Sequence, residues 1–266
     1  MSKNIHDMAL AYHKEGSPGK IDVSSHKKLD NDQDLSLAYS PGVAAPVREI
    51  AKDPSQVNQY TIKGNLVAVI TDGSAVLGLG NVGPLAAKPV MEGKAVLFKY
   101  FANINAFNIE LDTQEVDEIV STIKNIAPTF GGINLEDISA PRCFEIEERL
   151  IKELDIPVFH DDQHGTAIIV AAGLLNALEI QGKSITAAKI VVAGGGSAGI
   201  ATLDLLVSLG FKKENMLLVD RRGVVSKEQI SIVNKYKAAF AVDTDKKTLS
   251  DAIDGADVFI GVARGN

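Results

Sequence analysis

The sequence predicts an α/β fold with two domains, each built on a parallel sheet. Two observations carry this prediction. From about residue 60 onward, short apolar runs alternate with helical patterns, which is typical of a parallel sheet wrapped by helices. Further along, the apolar strand KIVVA runs directly into the glycine-rich turn GGGSAG, which opens a second series of strands and helices.

The composition is that of an ordinary globular protein. The chain has 266 residues, 45% hydrophobic and 23% charged, with a formal net charge of −7. This acidic balance argues against nucleic acid or an anionic membrane as the main partner. The single cysteine, Cys143, excludes an intrachain disulfide, and the first residues lack the apolar core of a signal peptide. We therefore expect a reduced, cytoplasmic protein.

The first domain is predicted to span residues 1–165 and to hold the site of chemistry. Up to about residue 60 the chain reads as polar and irregular. The predicted strands then are 66–71, 105–111, 129–135 and 156–160, and the predicted helices are 84–101, 113–126 and 143–154. Pro84 favours a helix start, Pro89 indicates an early break, and Thr113 has the chemistry of an N-cap.

The second domain is predicted over residues 166–266 as a Rossmann-like NAD(P)-binding unit. An apolar helix at 165–181 leads into it. The predicted strands are 189–193, 216–220 and 257–262, with a helix at 201–210. The chain ends shortly after the last of these strands, where a doubly wound domain normally continues. We therefore expect this domain to be truncated.

A G-x-G-x-x-G pattern follows the strand at 189–193. Its first glycine allows a tight turn, the second lets backbone amides approach a pyrophosphate, and the third allows close helix packing. The predicted cofactor-binding residues of this turn are Gly194, Gly196, Ser197, Ala198 and Gly199. The alternative is a purely structural turn.

Asp220 strengthens the nucleotide interpretation, because it ends the next strand, where a carboxylate can bind ribose hydroxyls. This favours NAD. Arg221 and Arg222 follow at once and could accept a 2′-phosphate, so NADP stays open. A second glycine pattern, Gly78, Gly80 and Gly83, lies several residues from its strand, and it either holds a substrate carboxylate or binds nothing.

Carboxylates follow three of the predicted strands of the first domain. Asp72 comes after the first strand, Glu136 and Asp137 after the third, and Asp161 and Asp162 after the fourth. Since parallel strands end at one edge of a sheet, these groups are predicted to lie together. Glu136, Asp137 and Asp162 then offer three oxygen ligands, which suits Mg²⁺ or Mn²⁺. The alternative is a set of solvated strand ends.

The segment HDDQH could also indicate a zinc site, since His160 and His164 are four residues apart. That spacing brings two rings together only in a helix, and here it is predicted to straddle a strand end and a loop. We expect ordinary structural hydrogen bonds from both histidines. Lys94 lies in an apolar helical stretch, where the pattern alone predicts a lysine that extends its amine to water. Tyr39 lies in the segment AYSPG, where the pattern alone predicts a residue of a turn.

At these residues the chain resembles the malic enzymes of the short bacterial type. The resemblance is carried by SLAYSPGVAAP, GNLVAVITDGSAVLGLGNVGPLAAKPVMEGKAVLFK, PTFGGINLEDISAP and PVFHDDQHGTA. It implies Tyr39 as proton donor and Lys94 as general base. It also implies Glu136, Asp137 and Asp162 as metal ligands, with Asp161 beside them, and the nicotinamide cofactor at residues 194–199.

The resemblance implies a homodimer that converts L-malate to pyruvate and CO₂ and reduces NAD(P), with a divalent metal as Lewis acid. Two departures stand against it. Ala75 occupies the position where larger relatives carry a malate-binding arginine, and the family continues well beyond this chain. The alternatives are a malolactic enzyme, which makes lactate, or an inactive fragment that binds metal or nucleotide. An amino-acid dehydrogenase is less compatible with three clustered carboxylates.

Overall fold

Two four-stranded sheets form the centre of the protein in the computed structural model, which describes residues 4–263. The strands are β1 (Leu66–Thr71), β2 (Asn105–Glu110), β3 (Gly132–Leu135), β4 (Val158–His160), β5 (Ile190–Ala193), β6 (Met216–Asp220), β7 (Gly223–Val224) and β8 (Val258–Gly261). The α-helices are α1 (Ile5–Lys14), α2 (Asp32–Ala38), α3 (Ala44–Lys52), α4 (Val57–Tyr60), α5 (Pro84–Ala102), α6 (Val116–Ile126), α7 (Arg142–Glu153), α8 (Asp161–Ile180), α9 (Ser197–Ser208), α10 (Lys235–Ala238) and α11 (Leu249–Ile253). Short 3₁₀ turns lie between them.

The first sheet has the order β2-β1-β3-β4 and is entirely parallel. The second has the order β7-β6-β5-β8, with only the β6–β7 pair antiparallel. The predicted α/β fold is therefore confirmed. Strands β1 and β6 have the predicted bounds, whereas β3 and β4 begin later than predicted. Pro128 lies in a 3₁₀ turn before β3, and Pro157, which lacks an N–H group, precedes β4.

One apolar cluster joins the two sheets. It contains Ile70 and Leu135 from the first sheet and Val192 and Leu218 from the second, all fully buried. Helices α8 and α9 pack along each other between these groups. The carboxyl ends of both sets of strands consequently open onto one shared cleft.

The first 60 residues are more regular than predicted, because they contain helices α1 to α4. Asn4 and Asn31 cap the first two of these helices by accepting from the backbone N–H groups of His6 and Asp34. None of the four helices contains a buried residue. The segment was predicted to be irregular because of its polar residues and prolines, but Pro46 lies in the first turn of α3, where a missing N–H costs no helical hydrogen bond.

Other helix predictions also differ from the structure in part. Helix α5 continues through Pro89, which costs it one backbone hydrogen bond but does not end it. Helix α6 begins at Val116, and Thr113 accepts from the N–H of Glu115 outside the helix instead of capping it. Helix α8 begins at Asp161, four residues before the predicted start, and it crosses the predicted domain boundary at 165/166. That boundary stays a prediction.

Helix α9 likewise begins ahead of its predicted start, directly at Ser197. Within residues 4–263, no helix is long and apolar enough to cross a membrane.

Candidate active site

The predicted acidic edge exists in the structure. Asp72 follows β1, Glu136 follows β3 and Asp161 follows β4. Asp72, Glu136 and Asp137 are 1%, 8% and 4% exposed, so they are not solvated strand ends. Buried carboxylates need partners to offset the loss of hydration, and the partners here define the chemistry of the site.

Lys94 is a cation at this edge. Its Nζ lies 2.6 Å from Oδ2 of Asp161 and 3.1 Å from Oε1 of Glu136. Burial lowers the pKa of Lys94, but the hydrogen bond to Asp161 and the charge of Glu136 outweigh burial and raise it overall. Burial and the nearby charge of Asp162 raise the pKa of Glu136 to about 7, against the opposing influence of Lys94. Glu136, which burial makes harder to ionise, therefore shares Lys94 with Asp161.

Asp137 and Asp162 meet through the backbone. The N–H of Asp137, a residue with φ of 54°, donates to Oδ2 of Asp162 at 2.7 Å. In the described part of the chain, no group of three or more His, Cys, Asp or Glu side chains is arranged to hold a metal ion. Lys94 and the Asp137 amide take up carboxylate oxygens that a cation would need. The donor chemistry, which is all oxygen, nevertheless fits Mg²⁺ or Mn²⁺.

The two histidines of HDDQH differ from the prediction. His164 lies in the first turn of α8, not in a loop, because the helix begins at Asp161. Its Nε2 donates to the carboxylate of Glu147 at 2.8 Å, and this bond raises the pKa of His164. His160 is fully buried and neither ring nitrogen has a hydrogen-bond partner among the described residues. The expected structural hydrogen bond is thus made only by His164.

Asp72 has a cation that the sequence reading missed. Its Oδ2 accepts from Arg142 at 2.8 Å, and its Oδ1 accepts from the backbone N–H and the hydroxyl of Ser74. These bonds neutralise Asp72 and shape the turn after β1. The N–H of Ala75 donates to the backbone carbonyl of Asp137 at 2.9 Å. No local pattern links Arg142 to Asp72, since they are far apart in sequence.

The glycine turn after β5 has the geometry that its pattern predicts. Gly194 has φ of 126°, a conformation that favours glycine. A Cβ on Gly199 would lie 1.7 Å from the carbonyl oxygen of Gly194, so no larger residue fits there. A Cβ on Gly196 would meet nothing within 4 Å, which leaves open space beside the start of α9. Helix α9 has no side-chain cap, so its first amides face that space.

Asp220 is held by partners within the chain. Its Oδ2 lies 2.6 Å from Nζ of Lys237, and its Oδ1 accepts from the N–H of Arg222 at 2.8 Å. Burial alone would raise the pKa of Asp220, but these two bonds lower it overall. The guanidinium of Arg222 donates to the carbonyl of Ile232, while Arg221 is exposed. Lys237 has no signal in the sequence, because α10 approaches β6 only in the fold.

Some of these groups line a cleft of about 1070 Å³ from both sides, although Lys94, Glu136 and Asp137 are not among its lining residues. Ser74, Ala75 and Asp162 line one side of it. Residues 194–198, Asp220 and Lys237 line the other. The second glycine pattern contributes Leu77 and Gly80 to the rim, and its binding role stays a prediction.

Tyr39 is not among the residues that line this cleft. Its side chain is 72% exposed at the end of α2. The structure therefore brings Lys94 to the carboxylates but leaves Tyr39 outside.

Comparison with known proteins identifies the family. The family models described as "Malic enzyme, N-terminal domain" and "Malic enzyme, NAD binding domain" match residues 18–151 and 163–263. An NADP-dependent malic enzyme of Halomonas elongata is 58% identical over 96% of this chain and 60% of its own length. A bifunctional malic/malolactic enzyme of Bacillus subtilis is 53% identical over 98% of this chain and 64% of its own length.

A solved structure agrees. The crystal structure of malic enzyme from Pyrococcus horikoshii superposes with a TM-score of 0.94 at 47% identity, covering 99% of this chain and 63% of that one. The chain thus spans less than two thirds of the length of these relatives. On the strength of both domain matches and this shared fold, the chain belongs to the malic enzyme family.

Proposed function

We propose that this protein oxidatively decarboxylates L-malate to pyruvate and CO₂ with reduction of a nicotinamide nucleotide and with a divalent metal. The observation that carries the proposal is the cleft itself. One wall presents Asp162 near the Lys94–Glu136 pair, and the other presents the glycine turn at 194–199. A hydroxy acid and a nucleotide bound on these walls would face each other.

The residues at the acidic edge can supply the proton acceptor and the metal ligands. Lys94 would accept the proton of the substrate hydroxyl, with Asp161 and Glu136 fixing its ammonium in place. Glu136, Asp137 and Asp162 would hold the cation, which when bound supplies a Lewis acid for the charge that develops on oxygen. Because Lys94 is close to two carboxylates, its pKa is raised in the protein alone. Neutralising those carboxylates would lower it toward the value that a base needs.

Tyr39 is proposed as the proton donor to the product carbon, as the family resemblance implies. Since its side chain is exposed, helix α2 must move toward the cleft, or a second copy must supply the tyrosine. Exposed apolar side chains on the same stretch, including Leu35 and Leu37, are compatible with the homodimer that the resemblance implies. Light scattering on the purified chain measures the oligomeric state.

The deciding experiment follows nicotinamide absorbance with L-malate, Mn²⁺ and NAD or NADP, with EDTA as control. Metal-dependent reduction of the nucleotide, with pyruvate formed, supports the proposal. Lactate formed without net nucleotide reduction supports malolactic activity instead, the second candidate, which the Bacillus subtilis relative favours. Binding of Mn²⁺ and nucleotide without either product indicates a non-catalytic module.

Replacing Asp162 with asparagine is expected to weaken Mn²⁺ binding by at least about tenfold, because a neutral amide is a poorer ligand than a carboxylate. Titration with free Mn²⁺ followed by electron paramagnetic resonance measures this. Asp112→Asn is the matched control, since Asp112 is exposed just after β2 at the same sheet edge. Unchanged Mn²⁺ affinity in Asp162→Asn would remove Asp162 from the metal site.

We further propose that NADP is the preferred nucleotide. Asp220 is already neutralised by Lys237, so its carboxylate does not repel a 2′-phosphate, and Arg221 adds a second cation on the same rim. Asp220 binds the ribose in this scheme, and Lys237 contacts the phosphate.

Lys237→Gln is accordingly expected to raise the Kd for NADPH by about 10- to 100-fold and to change the Kd for NADH far less, because glutamine can still donate to Asp220 whereas the phosphate loses a charged donor. Fluorescence titration measures both constants. Lys235→Gln, an exposed lysine on the same helix, is the control. Equal losses for the two nucleotides would argue that Lys237 only supports the fold.

A further inference from the structure

Glu147 is a buried carboxylate in α7 that the reaction scheme does not use. Its side chain is 7% exposed. Three donors satisfy it: the backbone N–H of His160 at 2.9 Å, Nε2 of Gln163 at 3.1 Å and Nε2 of His164 at 2.8 Å. All three come from the end of β4 and the first turn of α8. The cost of burying this charge is thus offset entirely at one place in the fold.

The spacing of these donors separates the two sides of the turn. Gln163 and His164 are adjacent in the first turn of α8 and their side chains both reach Glu147, whereas the donor of His160 is its backbone N–H, just before the helix. Around the helix axis Asp161 lies about 200° from Gln163 and Asp162 about 200° from His164, which places the two acids on the other side of the turn. There Asp161 contacts Lys94 at 2.6 Å, and Asp162 accepts from the Asp137 amide at 2.7 Å.

Helix α8 also lacks a side-chain cap of its own. His160, the residue before its first turn, makes no capping bond with its side chain. Glu147 reaches that N–H from a neighbouring helix and places a negative charge near the positive end of α8, where it stabilises the helix start. Glu147 thereby contacts both the start of α8 and the side chains of its first turn.

We propose that Glu147 is a positioning residue that sets the rotation of the first turn of α8 and so places Asp161 against Lys94 and Asp162 at the metal site. The inference rests on the proposed function for the role of Asp162. It assigns Glu147 no contact with substrate or metal. A residue with a merely structural role would affect stability and all ligands alike, whereas a positioning residue affects the metal selectively.

Glu147→Gln keeps the side-chain volume but turns one acceptor into a donor that faces other donors. We expect the Kd for Mn²⁺ to rise about tenfold, the effect typical of residues that orient metal ligands. The Kd for NADPH in metal-free buffer should stay within about twofold, because the nucleotide turn is a separate contact region. Glu145→Gln, the same change at an exposed position of α7, should alter neither constant.

Amide hydrogen exchange at residues 161–165 of the metal-free protein provides a second readout. Faster exchange there in Glu147→Gln, but not in Glu145→Gln, supports the positioning role of Glu147, and this readout needs no bound metal. If the parent chain binds no Mn²⁺, the metal site is refuted, but the exchange result still tests Glu147. Unchanged exchange in Glu147→Gln would overturn the positioning role. So would a folded Glu147→Gln variant with parental Mn²⁺ affinity, or an equal loss of affinity for Mn²⁺ and NADPH.

Gln163→Leu serves where Glu147→Gln does not fold, because it removes one neutral donor from the same carboxylate. Weaker Mn²⁺ binding with faster exchange at 161–165 supports the proposal. Parental values for both would refute it.

Discussion

Lys94→Ala is expected to lower kcat for malate oxidation by about a thousandfold, the contribution typical of a positioned general base. Lys94 is the cation between Glu136 and Asp161, with its Nζ within 3.1 Å of both carboxylates. Its removal takes away the proton acceptor but also leaves those carboxylates without their neutralising charge. Mn²⁺ should therefore bind at least as tightly to the variant as to the parent protein.

The two readouts together isolate the base. Steady-state kinetics measures kcat, and Mn²⁺ titration measures the metal site. Lys99→Ala is the matched control, because Lys99 lies later in α5 and its Nζ donates to Asn103 and Asn105 at the far end of the helix. A near-parental kcat in Lys94→Ala would rule out the base assignment. Loss of Mn²⁺ binding would show instead that Lys94 organises the carboxylates.

Gly199→Ala is expected to destabilise the protein by about 3 kcal/mol, as for other forced overpacking. The added methyl group of α9 would lie 1.7 Å from the carbonyl oxygen of Gly194, a backbone atom, so the helix or the turn would have to shift. Urea denaturation measures the change in the free energy of unfolding.

Gly196→Ala in the same turn separates binding from stability. Its methyl group would meet nothing within 4 Å, and its φ of −90° suits alanine, so stability should change little. The methyl group would, however, fill the space that a phosphate needs beside the first amides of α9. NADPH affinity should fall at least about tenfold, or 1.4 kcal/mol. Parental NADPH affinity in Gly196→Ala would place the pyrophosphate elsewhere.

Properties set by local pattern were predictable from the sequence. Strands β1 and β6 are short apolar runs bounded by polar residues, and both were predicted with their observed bounds. The acids that follow β1, β3 and β4 were predicted at one edge because parallel strands end together. The close approach of Gly199 to Gly194 follows from the glycine pattern itself.

Contacts between distant elements were not predictable. The pairs Lys94–Asp161, Arg142–Asp72 and Lys237–Asp220 each join a helix to a strand end or to another helix. Their formation depends on how α5, α7 and α10 are rotated against the sheets, which periodicity does not specify. The burial of Glu147 was not predictable for the same reason, since a glutamate in a helix is usually exposed to solvent.

The apolar cluster that continues from β1 through α8 and α9 to β5 and β6 has a consequence for how the chain melts. Neither sheet with its helices has a complete hydrophobic core of its own, because separating the two parts would expose the facing sides of α8 and α9 to water. We expect a single calorimetric transition whose enthalpy matches the van't Hoff value. A nucleotide bound at the second sheet should then raise the melting temperature of the first sheet as well, by the same number of degrees.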